Sequence, residues 1–284
     1  MSSVHRILTG LEFIPDPTSG RVNWPAQTED LVRLSIELAR VTRSGLAFAA
    51  VAEFPTQKYD CEQIDSWTAM AEQQVAELWQ SSAAQAFPVE QAAWFGNPGV
   101  EWAESARENE MDLLIVPGGE SLDANPGDLQ WPEVAGCPVW FAGREPDRLA
   151  DGPPLIVFCD DLSNAASDQL PFAVELALAW NARLLIVHPL IHSVAELTAD
   201  DEDRLRREIF VRLARTDFRA LAQGSQLRFI TGGMDEILAE VSREQTPNLV
   251  MASAGLVRVV RPEWRGHRLF WSQSSECGDS GTIP

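Results

Sequence analysis

Lysine is nearly missing from this chain: Lys58 is the single one among 284 residues, and tyrosine also occurs once. Arginine supplies the rest of the positive charge, so Schiff-base chemistry or a phosphate-loop lysine is excluded everywhere except position 58. Cysteine is scarce too. Cys61, Cys137, Cys159 and Cys277 form no Cys-x-x-Cys pair, which excludes a structural zinc site of ordinary spacing and reads as reduced, buried thiols. Four histidines, no Gly-x-Ser-x-Gly and no His-Glu-x-x-His leave a metal centre or a catalytic triad poorly supplied. No apolar run approaches the ~18 residues of a membrane span, and Met1 to Gly10 holds no signal-peptide core. The expected location is the cytoplasm, away from membranes.

Positive charge is short overall. Twenty-two basic groups face 42 acidic ones, a net charge of −20. Residues 1–150 carry 9 basic and 23 acidic groups, and residues 151–284 carry 13 and 19. Such a field repels nucleic acid, so no nucleic-acid partner is expected. Apolar residues at 45% are enough to fill a core.

What is present is an alternation of short apolar strands and helical patterns. Arg6 to Glu12 reads as a strand, 15–25 as a polar, proline-bearing loop, Thr28 to Arg43 as a helix, and Leu46 to Ala52 as a buried strand. Asp65 to Gln80 (helix), Val89 to Phe95 (strand), Pro98 to Asn109 (helix), Leu113 to Val116 and Pro138 to Phe141 (strands) complete the first half. The second half repeats the order: strand Leu155–Cys159, helix Asp168–Trp180, strand Arg183–His188, a long helix Asp200–Gln223, strand Leu227–Ile230, helix Met234–Gln245 and strand Leu249–Ala252. Strands alternating with helices imply parallel sheets covered on both faces. The fold class is therefore α/β, two tandem doubly wound domains, expected at 1–146 and 152–284 with a punctuated join around Gly143 to Pro154.

Three stretches carry a resemblance. Leu155 to Ser163, Asn181 to His188, and Gly96-Asn97-Pro98 with the strand Leu113–Val116 and Cys137-Pro138-Val139-Trp140 are each similar to segments of universal stress protein domains, and the whole resembles a tandem member of that family. The resemblance implies an adenine-nucleotide-binding-like fold, a cytoplasmic stress-associated binding role, and an internal pseudo-dimer formed through fifth strands. ATP-binding members carry Gly-x-x-Gly, nine residues, then Gly-Ser/Thr after the fourth strand, because glycines let backbone N–H groups approach phosphates. Here Ala252-Ser253-Ala254-Gly255 has alanine at the first glycine position, ten residues precede Gly266, and His267 replaces the hydroxyl residue. In the first half, Pro117-Gly118-Gly119-Glu120 has no later glycine-serine pair, and its ATP loop is unrecognisable.

Two readings of the second half stay open. One is a loop that has lost ATP, with no cofactor and an unknown protein partner. The other is a site for ATP or another small phosphorylated ligand, held by Asp161, Gly255, Arg258, Arg261, Arg265, Gly266 and His267. Asp161 falls, by resemblance, near the adenine end of a nucleotide, with Asp160 beside it leaving the register open; Glu12 is the first-half counterpart. Arginine suits bidentate phosphate recognition, and no second basic cluster stands out along the chain. A homodimer also stays open. Enzymatic turnover is not expected: ATP hydrolysis lacks a magnesium ligand set. Thr231-Gly232-Gly233-Met234-Asp235 and Pro117-Gly118-Gly119 are turn glycines and not catalytic loops. Trp67, Trp79, Trp94, Trp102 and Trp140 lie on apolar faces, whereas Trp131, Trp264 and Trp271 follow the fourth strands; packing is the favoured reading for them, with a cleft or interdomain seam as the alternative. Leu269-Phe270-Trp271 is too short for a fifth strand, so the second half is expected to lack one, with a disordered tail beyond it.

Overall fold

In the computed structural model, which describes residues 4–54, 60–81, 89–118, 131–143, 153–190, 199–231, 234–245, 247–253 and 267–271, ten strands share one sheet. The first half supplies β1 (Arg6–Glu12), a small hairpin β2 (Ile14–Asp16) and β3 (Arg21–Asn23), α1 (Thr28–Thr42), β4 (Gly45–Ala52), α2 (Cys61–Ser81), β5 (Val89–Phe95), α3 (Pro98–Glu108), β6 (Leu113–Pro117), α4 (Trp131–Ala135) and β7 (Val139–Ala142). The second supplies β8 (Leu155–Cys159), α5 (Asn164–Ala179), β9 (Arg183–Leu190), α6 (Ala199–Leu213), β10 (Ser225–Thr231), α7 (Met234–Glu244), β11 (Leu249–Ser253) and β12 (His267–Trp271).

The order across the large sheet is β10-β9-β8-β11-β12-β7-β6-β1-β4-β5. Every pair in it is parallel except β12 with β7, where Leu269 lies opposite Trp140 and Phe270 opposite Val139. The two halves thus meet head to head at their fifth strands, one half inverted relative to the other. Strands buried on both faces read as continuous apolar runs, as β8 does. One core lies under α1, α2 and α5, with Ile7, Phe48, Trp67, Phe158 and Phe172. The other lies under α3, α4 and α7, with Leu8, Trp102, Val157, Ile237 and Phe270.

Three expectations need correction. The second half does have a fifth strand: β12 needs only five residues, because β11 and β7 flank it on both sides and bury His267, Leu269, Phe270 and Trp271. The 15–25 segment is no open loop but the β2–β3 hairpin, whose turn is made by the Asp16 carboxylate accepting from the N–H groups of Thr18 and Ser19. The long helix ends at Leu213, ten residues early. Beyond it Asp217 accepts from the Arg219 N–H at 3.0 Å and pairs with its guanidinium at 2.8 Å, a local bond set that competes with helix. Trp131 needs no correction: it opens the short helix α4 and packs on Trp102 and Phe141, the reading favoured from sequence.

Gly10 is the one β1 residue whose lack of a side chain decides packing. A Cβ there would lie 2.5 Å from the Trp102 indole, so glycine is what lets α3 seat its tryptophan on the sheet.

Candidate functional site

In an open parallel sheet, ligands bind outside the carboxyl ends of the strands where the winding reverses. In the second half that point lies between β8 and β11. The chain leaves β8 through Asp160 and Asp161, turns at Leu162 with a left-handed φ of 64°, and enters α5 at Ser163, whose Oγ accepts the Ala166 N–H at 3.0 Å.

The two aspartates serve different faces. Asp160 is 1% exposed and points toward α6. Its Oδ1 accepts from the Leu162 N–H at 2.8 Å and from Arg212 at 3.2 Å. Arg212 also donates to the carbonyls of Ser163 at 2.7 Å and of Leu162, clamping α6 onto the β8–α5 turn. The Asp160 Oδ2 has no hydrogen-bond partner. Burial pushes its carboxyl above the usual range despite the opposing pull of the Leu162 N–H, Arg212 and His188. His188, also buried, donates its Nδ1–H to the Asp160 carbonyl at 2.6 Å, so it is a structural residue beneath the turn.

Asp161 faces the switch point. Its Oδ1 accepts the Ser163 N–H at 3.0 Å, and its Oδ2 accepts the Ser253 hydroxyl at 2.5 Å, from the last residue of β11. Asp161, and not Asp160, is thus the aspartate that reaches the last residue of β11. Gly255, Arg258, Arg261, Arg265 and Gly266 lie outside the described residues, as do Trp264 and the tail. His267 is described, and the structure does not bring it to Asp161. It pairs with Leu249 at the beginning of β11, the opposite end of that strand from Ser253. There it is buried at the seam between the halves, its Nδ1 accepting the Trp140 indole N–H at 3.4 Å with Trp180 beside it. Arg268 lies over the Phe141 ring at 5.7 Å, also at the seam. Trp271 stacks on Phe158.

The first half builds the segment after its first strand differently. Fifteen residues separate β1 from α1, against four between β8 and α5. Phe13, 1% exposed, packs edge-on to Phe95 at 5.5 Å and against Trp24 at 6.0 Å. Phe54 and Trp67 join through Phe95. These rings sit where β1, β4 and β5 end, so the chain's own aromatics cover that end of the half-sheet. Glu12 at the tip of β1 is half-buried, its carboxyl raised by burial and by nearby Glu53.

Little else in the described residues is equipped for chemistry. No group of three or more His, Cys, Asp or Glu could hold a metal ion among them. The buried thiols of Cys137 and Cys159 are pushed up to about 12 by burial, which removes them as nucleophiles. A separate open cavity of about 220 Å³ borders Arg6, Leu46, Ala47, Glu90 and Met111 and shares no residue with the crevice. Sequence reasoning missed Ser253, Asp160 and Arg212 as partners. The only signal was an acid pair closing a strand and an arginine in the last turn of an acidic-to-basic helix.

No family model and no curated protein sequence matches the chain. Solved structures do. A functionally unknown protein from Pseudomonas aeruginosa PAO1 is similar at 15% identity and a TM-score of 0.60, over 95% of this chain and 93% of its own. A universal stress protein candidate from P. aeruginosa UCBPP-PA14 is similar at 15% identity and 0.59, over 95% and 94%. A universal stress protein from Archaeoglobus fulgidus DSM 4304 is similar at 15% identity and 0.55, over 95% and 99%. The chain therefore has the fold of universal stress proteins across nearly its whole length. No helix among the described residues is long and apolar enough to cross a membrane.

Proposed function

We propose that this chain is a binding and regulatory protein of the universal stress type, cytoplasmic, that has given up ATP and works through protein contacts. The observation that carries the reading is the closed state of Asp161. Both of its carboxylate oxygens already accept from Ser163 and Ser253 within the chain, so the acceptor expected at the adenine end is engaged internally. The aromatic cluster at the ends of β1, β4 and β5 supports the same reading, because Phe13 fills with its own ring the space next to Glu12 in sequence. On this reading neither half holds ATP, and no hydrolytic step is assigned.

Thermal unfolding with about 1 mM ATP and magnesium tests this. A ligand at 100 times its Kd adds roughly 2.7 kcal/mol. The expected result is an unchanged melting temperature with ATP, ADP and AMP. A clear rise with any of them, lost in Arg261→Ala or Arg265→Ala, would establish the second reading: a phosphorylated ligand held by the segment from Ser253 to His267. That reading draws on the segment's place, since it leaves the sheet at the switch point beside Asp161 and carries Arg258, Arg261 and Arg265.

A further inference from the structure

Among the described residues α1, α2 and α3 of the first half have counterparts in α5, α6 and α7 of the second, and one such pair is opposite in charge. α2 and α6 follow the second large-sheet strand of their halves and lie at the two ends of the same helical layer. From Asp60 through Ser81 the chain has Asp60, Glu62, Asp65, Glu72 and Glu77 and no lysine or arginine. α6 starts acidic, then turns basic from Arg204 onward. Of its arginines, Arg212 is committed to Asp160 and Arg206 lies over the Phe229 ring at 5.4 Å. Arg204 and Arg207 are exposed, with no ion pair to any carboxylate among the described residues. At helical spacing they share a stripe with Phe210 and Val211, which are 59% and 62% exposed. The 258–268 segment is therefore not the one basic cluster of this acidic chain, as the sequence suggested.

We infer that the Arg204–Val211 face of α6 docks on the acidic start of α2 in a second copy of the chain. Because β12 and β7 pair antiparallel, the two halves point in opposite directions, and α2 and α6 run antiparallel at opposite ends of their layer. A twofold axis parallel to the helices, with the two layers face to face, sets α6 of each copy against α2 of the other. The helices remain antiparallel, so the basic portion of α6 meets exposed Glu62 and Asp65 and the helix dipoles oppose favourably. Two equivalent contacts form and the assembly closes, as twofold interfaces do. Phe210 and Val211 lose their exposure in the same contact. Net repulsion between two acidic copies is screened beyond ~8 Å at physiological salt, whereas the paired helices act inside that distance. This dimer is independent of whether a nucleotide binds, and mass, not melting temperature, reads it out.

Sedimentation of the full-length protein in about 0.05 and 0.5 M NaCl should give a dimer whose dissociation constant weakens at least ~10-fold at the higher salt. Arg204→Glu/Arg207→Glu should be monomeric, and so should Glu62→Arg/Asp65→Arg, each with the wild-type circular dichroism spectrum. Mixed, the two variants should re-form a dimer, since each then offers the charge the other needs. A monomeric wild type, or a dimer indifferent to both reversals, or variants that fail to pair when mixed although folded, would overturn the assignment.

Discussion

Ser253 and Asp161, 92 positions apart in sequence, are joined by a 2.5 Å hydrogen bond across the gap between β11 and β8. The bond ties the two strands at which the winding of the second half reverses, and it occupies the carboxylate that faces the crevice. Ser253 is fully buried, so removing its hydroxyl leaves Asp161 Oδ2 without that donor in a dry place. Ser253→Ala should lower stability by about 1–3 kcal/mol. In urea titrations this reads as a fall in the midpoint with an unchanged slope. A midpoint equal to wild type would mean that water replaces the hydroxyl without loss, and that the crevice is open.

Asp160 gives the protein a pH dependence of definite sign. Its folded-state carboxyl titrates above the ordinary aspartate value because burial outweighs Arg212. Between the ordinary and the raised value the native state holds the proton that the unfolded chain has released. Its contribution to stability is thus fully present below about pH 4 and is lost as pH rises through the raised value. Asp160→Asn removes that titration while keeping an acceptor for the Leu162 N–H. Wild type should therefore gain stability relative to the variant on acidification from neutrality toward pH 4. Glu12 shifts in the same direction but is common to both proteins and cancels. A stability difference that stays constant over this range would show that Asp160 titrates as an ordinary aspartate.

Gly10 can be tested by the smallest possible change. Gly10→Ala puts a methyl group 2.5 Å from the Trp102 indole, and the indole cannot retreat freely because it is buried and its N–H donates to the Ala49 carbonyl at 3.0 Å. The expected cost is about 1–3 kcal/mol, the usual range for overpacking. Combining it with Trp102→Leu should cost less than the two single changes together, since the second removes the clash. Additive costs in thermal melts would place the strain elsewhere.

Periodicity was enough to read the strand–helix order and its duplication, because parallel strands covered on both faces leave unbroken apolar runs such as Leu155–Cys159 and Leu113–Val116. The fifth strand of the second half was not legible. Five residues look too few until β7, from the other half, is seen to cover the open edge. The division of labour between Asp160 and Asp161 was equally hidden, since it depends on which neighbour faces α6, and Arg212 lies 52 positions away. His267 was assigned to the crevice by its place in a motif. Its strand register, opposite Leu249, places it at the other end of β11 from Ser253.

That register gives His267 a different task. At the seam, Trp140 on β7 donates its indole N–H to His267 Nδ1 on β12 at 3.4 Å, so the imidazole proton is on Nε2. Trp180 meets Trp140 edge-on at 5.9 Å, adding α5 to the contact. Trp140 is fully buried, and truncating it to alanine should cost about 3–5 kcal/mol. Trp140 belongs to the core under α1, α2 and α5, but it sits where that core crosses the antiparallel junction, so the loss falls on the coupling of the halves. Calorimetry of Trp140→Ala should therefore resolve two unfolding transitions in place of one, as cooperativity between the halves weakens. Phe172→Ala, an equally buried ring inside the second half, serves as the comparison: it should lower that half's stability without uncoupling the strands at the seam. If Trp140→Ala unfolds in a single transition, the helical contact between α1 and α5, and not the seam, holds the two halves together.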